Sequence, residues 1–216
     1  GSFLITSVLA FFVFIGMVVF NPNVQFEVAA AKKIKEKNIS LVSLLVMGGV
    51  ISFYVVAEIL VSSRLALYMR TYKNMNLLES SRYVTYFFVA LLLGRLLFAF
   101  KHFHLSLKKQ LNVSLLGSLL FLILGLCYHP VFFILVGFSM APFYPLCVSY
   151  ISEITGADRR HFITFSMSFQ SFCVISMHIG VGLLTDQFGL FYAFGVGVVS
   201  LLLSILCLNV YKKLPS

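Results

Sequence analysis

The sequence predicts an all-α polytopic membrane protein of about seven transmembrane helices, one helix followed by a block of six. Three observations predict it. Of the 216 residues, 60% are hydrophobic and only 11% are charged, where a soluble domain carries about 45–50% and about 25%. The mean hydropathy is +1.01. The apolar residues come in long unbroken runs, whereas a barrel shows alternating segments of about ten residues. The same composition excludes a water-soluble enzyme domain. It also excludes a disordered chain, which needs low hydrophobicity. Four cysteines in 216 residues exclude a disulfide-stapled secreted module.

Crossing a hydrocarbon core of about 30 Å takes about 20 mainly apolar residues in a helix. Seven stretches meet that length, near residues 3–20, 41–69, 82–100, 111–128, 130–151, 162–185 and 190–211. The second is long enough to be tilted or broken. Residues 27–37, rich in Glu and Lys, form a connector between the first helix and the other six, within a linker spanning residues 21–40. Gly1-Ser2 has the look of a cloning scar, and the lack of an initiator Met leads us to expect that the gene begins earlier.

The formal net charge is +9. In a chain this apolar, basic residues are expected at the cytoplasmic ends of helices, facing anionic lipid, and no nucleic-acid partner is expected. Counted over alternate connections, twelve Lys and Arg fall on one side: Lys32, Lys33, Lys35, Lys37, Arg95, Lys101, Lys108, Lys109, Arg159, Arg160, Lys212 and Lys213. Four fall on the other: Arg64, Arg70, Lys73 and Arg82. The bias places residues 21–40 and the C-terminus in the cytoplasm.

Ionisable groups inside a membrane are costly and mark functional sites. Glu58 is the leading candidate, for substrate hydrogen bonding or proton coupling, with a structural ion pair as the plainer alternative. Tyr54, four residues earlier, shares its helix face. Arg64 is six residues further on, about 240° around a helix, so it shares a face with Glu58 only if the helix breaks, for example near Ser62-Ser63. Otherwise Arg64 snorkels outward. Gln170 and His178 are about 80° apart and could line one broad polar wall with Ser166. Interhelical packing would use the same residues. Pro142 and Pro145 flank Tyr144 and predict a broken helix with freed carbonyls. Glu153, Asp158, Arg159 and Arg160 cluster at one connection and, with Arg95, suit a charge gate. Asp186 is a candidate cap for the helix that follows it. The histidines are too scattered for a metal site. No catalytic constellation, P-loop or dinucleotide fingerprint occurs, so neither an enzyme nor a cofactor is expected.

Several short motifs carry a resemblance. Leu93-Gly94-Arg95, at the expected cytoplasmic end of the third segment, is similar to a degenerate Gly-Arg motif. Residues 182–189, GLLTDQFG, resemble a G-x-L-x-D-x-x-G turn, and residues 137–145 resemble a proline-broken cavity helix. Together they resemble the C-terminal half of a major facilitator superfamily transporter, preceded by the last helix of its N-terminal half. Residues 54–58, YVVAE, and Tyr86-Phe87-Phe88 are similar to fucose-permease-like sugar:proton symporters. The resemblance spans about residues 41–210. It implies alternating-access transport of a small polar solute such as a sugar, with a missing N-terminal half-domain as partner. That half would carry the usual proton-bearing acids, so proton coupling stays open. The implied substrate-lining residues are Tyr54, Glu58, Arg64, Tyr144, Gln170 and His178. The implied gate is Arg95, Glu153, Asp158 and Arg159. Two other classes remain compatible with the residues: a complete seven-helix receptor or scaffold, and a half-transporter acting as a dimer.

Overall fold

A computed structural model describes residues 40–100 and 105–211. The expected first helix, nearly all of the 21–40 linker, Lys101, His102, His104, Lys212 and Lys213 lie outside the described residues. The described chain is all-α, in the order α1 (Leu41–Tyr72), α2 (Leu77–Phe100), α3 (Leu107–Cys127), α4 (Phe132–Met140), α5 (Phe143–Thr155), a 3₁₀ turn (Gly156–Asp158), α6 (Arg159–Phe188) and α7 (Leu190–Val210). With α4 and α5 forming one span, six segments are long and apolar enough to cross a membrane. The chain is an all-α polytopic membrane protein.

The six expected segments are present, with shifted ends. Helix α2 begins at Leu77, not near Arg82. The Asn76 side chain accepts from the Glu79 amide (2.9 Å), while the Glu79 carboxylate accepts from the Asn76 amide (3.2 Å). This reciprocal cap starts the helix one turn ahead of the apolar run. The turn before it uses a left-handed Asn74 (φ 51°), a conformation Asn tolerates. Helix α1 is continuous, so the break allowed near Ser62-Ser63 does not occur. Both hydroxyls bond back into their own helix, Ser63 to the Ile59 carbonyl at 2.6 Å and Ser62 to the same oxygen at 3.2 Å. The proline break does occur: Ala141 and Pro142 separate α4 from α5. Asp186 lies in the last turn of α6, and the cap position of α7 is held by Gly189 instead. Gly189, at φ 86°, joins α6 directly to α7, a backbone conformation that an L side chain would strain.

Helix α1 is the hub. It packs against α7, α6 and α2, and Met47, Val50, Tyr54, Ala57, Val61, Leu65 and Tyr68 are buried along it. Their three- and four-residue spacing is one helical stripe. The Ser204 hydroxyl of α7 donates to the Val50 carbonyl at 2.7 Å, and the Tyr68 hydroxyl donates to the Leu126 carbonyl of α3 at 3.2 Å. Tyr68 also meets the rings of Phe133 and Phe194, at centroid distances of 5.6 and 4.8 Å. Helices α2 and α4 approach closely because Gly137 faces the Phe87 carbonyl and Gly94 faces Ala141, where an added Cβ would have no room. Small residues at such contacts are how helices associate in lipid, where there is little hydrophobic drive to bring them together. Helices α2 and α6 are the least buried of the six spans.

Candidate functional site

The site grows from the break in the fourth span. Pro142 has no amide hydrogen, so the helical ladder cannot pass through it. The Phe138 carbonyl falls back on the Ala141 amide at 3.3 Å. The next two carbonyls take side-chain donors from neighbouring helices. The Ser114 hydroxyl of α3 donates to the Ser139 carbonyl at 2.6 Å, and the Tyr54 hydroxyl of α1 donates to the Met140 carbonyl at 2.7 Å. Tyr54 is fully buried, and its ring stacks on Phe143 with centroids 3.9 Å apart. One tyrosine thus braces both sides of the break.

One turn beyond Tyr54, on the same face, stands Glu58. It is the eighteenth residue of the 32-residue α1, deep within the span. Its carboxylate lies 3.7 Å from the Arg95 guanidinium of α2, with the two side chains 19% and 48% exposed. This distance exceeds that of a direct charge-assisted hydrogen bond, so attraction between charges holds the pair. Arg95 also lines a cleft of about 440 Å³ walled by Pro142, Pro145, Gln110 and Ser149.

Helix α2 ends at Phe100, where the third segment was expected to end, and Arg95 stands about 7.5 Å inside that end. In the described conformation Arg95 pairs with Glu58 and not with the loop charges. Glu153 is exposed near the end of α5, Asp158 is half-buried in the 3₁₀ turn, and Arg159 is exposed at the start of α6. These three share one connection.

The other expected residues divide. Arg64 is half-buried and has no ion-pair partner among the described residues. Tyr144 is half-buried against the core, but the ring on Tyr54 belongs to Phe143, its neighbour. Gln170 and His178 do not form one wall. The 80° between them straddles the edge of the buried face of α6. Gln170 turns inward, its Oε1 buried and without a hydrogen-bond partner among the described residues, whereas His178 is exposed. Ser166 is buried and bonds back to the Phe162 carbonyl at 2.7 Å. Among the described residues no three His, Cys, Asp or Glu side chains gather in a metal-holding group.

Sequence reasoning missed three features. Ser114 and Phe143 support the break, and the only signal for them was the need of freed carbonyls for nearby donors. A second cleft of about 400 Å³, at the opposite end of α2, is lined by Glu79, Arg82, Tyr83 and Tyr86 with Val131 and Ile134 of the fourth span. The spacing 79, 82, 83, 86 is one helix face and was readable as such. Comparisons of the chain with protein families, with curated proteins and with solved structures found no match.

Proposed function

We propose that the chain is the C-terminal half of a secondary transporter of the major facilitator type, moving a small polar solute such as a sugar by alternating access. The observation that carries this reading is the Glu58–Arg95 pair, set within the span beside a helix broken at Pro142. Intramembrane charges serve binding or ion pathways by default, and broken helices are the usual binding elements of secondary transporters. Glu58, Arg95 and Tyr144 are the proposed lining residues from this half, with the buried Tyr54 supporting them from behind and His178 contributed by α6. Glu153, Asp158 and Arg159 would act as gate charges at the cytoplasmic face, the side proposed for the basic connections and the C-terminus.

The outer face of α6 supports a partner other than lipid. Thr164, Ser168, Ser171 and His178 are all exposed, and with the exposed Ile175 among them they lie on one stripe of the helix. The exposed imidazole of His178 on that stripe is favourable against water or another bundle and unfavourable against acyl chains. A second six-helix half is the proposed cover.

Uptake of labelled sugars into cells expressing the full gene product tests the proposal. Glu58→Gln should lower uptake several-fold or flatten its pH profile at unchanged expression. Unaltered uptake at every pH refutes the assignment of Glu58. Cysteine cross-linking from Ser171→Cys reports the cover of α6. A link within one chain supports the two-half arrangement, and a link between two copies refutes it in favour of a dimer.

A further inference from the structure

The cleft beside Arg95 opens where α2 ends and α3 begins. Its polar groups are few: the Arg95 guanidinium, the Gln110 amide and the Ser149 hydroxyl. The rest of the wall is largely apolar, with Phe98, Leu105 and Leu146 prominent. The Gln110 Nε2 donates to the Leu105 carbonyl at 2.6 Å and so fixes one rim. The first turn of α3 holds Lys108 and Lys109 and no acidic residue. Arg95 lies about 7.5 Å from its helix end, and Gln110 about 4.5 Å from its own. Gln110 therefore lies nearest the helix ends and Arg95 less than one turn deeper, with the apolar wall running on toward the break.

We propose that this cleft binds an anionic phospholipid. The headgroup phosphate would be held by Arg95 and Gln110, with the α3 lysines adding positive potential, and one acyl chain would lie along Phe98 and Leu146. The proposal does not depend on the transport reading. A basic pocket between spans at the cytoplasmic level is a recognised setting for anionic headgroups. Arg95 has room for such a ligand, since Glu58 makes one long contact and the Arg95 side chain is about half exposed.

The experiment uses the full chain in neutral detergent, with thermal unfolding and native mass spectrometry as readouts and phosphatidylglycerol as the probe. Phosphatidylglycerol should raise the unfolding temperature and persist as a one-lipid adduct, and phosphatidylcholine should do neither. Lys109→Gln should weaken the lipid about fivefold, the value of one basic residue at an anionic surface. Ser149→Phe should fill the cleft and abolish the adduct, while Lys73→Gln, at the far end of α1, should leave it intact. Four results would overturn the proposal. They are equal shifts with both lipids, an adduct that survives Ser149→Phe in a folded variant, loss of the adduct in Lys73→Gln, or the same stabilisation from inorganic phosphate alone. The last would reassign the cleft to a free anion.

Discussion

Replacing Tyr54 by Phe removes one oxygen from the middle of the bundle and leaves the ring in place. The ring stack on Phe143 at 3.9 Å needs no hydroxyl. The loss falls on the Met140 carbonyl, which receives the Tyr54 hydroxyl at 2.7 Å and sits where the helical ladder is interrupted. Tyr54 is fully buried, so water does not easily replace it. An orphaned buried acceptor costs about 1–3 kcal/mol, and interhelical bonds in a membrane protein average about 0.6 kcal/mol and reach about 1.7 kcal/mol, so a fully buried, unreplaced acceptor belongs near that upper value. About 1.5 kcal/mol corresponds to a fall of about 5 °C in unfolding temperature for a chain of this size. The assay is far-UV circular dichroism melting in detergent, paired with the labelling rate of Cys147. That thiol is free and buried in α5, on the far side of the break. Tyr54→Phe should lower the melting temperature and speed labelling of Cys147, with exposed Cys127 unchanged as the internal reference. A variant that melts within 1 °C of the parent, with Cys147 equally protected, would show that the carbonyl needs no brace.

Other predictions rest on the same packing. Ser204→Ala removes a bond of equal length to the Val50 carbonyl, yet that acceptor lies within continuous α1 and keeps its intrahelical donor. It should therefore cost about 0.5 kcal/mol, less than Tyr54→Phe in the same melting assay. Arg95→Gln should destabilise by about 1–2 kcal/mol, because it strands a mostly buried carboxylate, with the figure reduced for the exposure of Arg95. The double variant with Glu58→Gln should recover part of the loss, and additive losses would mean that the pair is not coupled. Gly137→Ala should destabilise by about 1–3 kcal/mol through overpacking against the Phe87 carbonyl. Gly182→Ala, with nothing within 4 Å of the added carbon, should cause no loss within this bundle, and the contrast in melting temperature checks both.

Hydropathy made the spans legible because a bilayer imposes one length on every crossing. It misplaced their ends wherever polar residues carry the helix past the apolar run. Glu79 and Arg82 hid the first turn of α2, and the Asn76–Glu79 cap, a matter of hydrogen bonds, restored it. Pro142 announced its break because the missing amide is written in the residue type. Tyr54 and Glu58 were legible as one face of one helix. Their partners were not, since Arg95, Met140 and Ser114 come from other helices, and helix pairing leaves no mark in a single chain. Gln170 and His178 were joined by an angle that falls across the edge of a buried face, which only packing defines.

The braced break also bears on how the chain is made. A helix with two unsatisfied carbonyls is a poor candidate for lipid on its own. Both donors, Tyr54 and Ser114, lie in spans that precede the fourth. A ribosome delivering the chain from its N-terminal side has therefore already placed both hydroxyls in the translocon's vicinity when the fourth span emerges. The order of synthesis matches the order of need, and the first and third spans act as scaffolding for the insertion of the fourth.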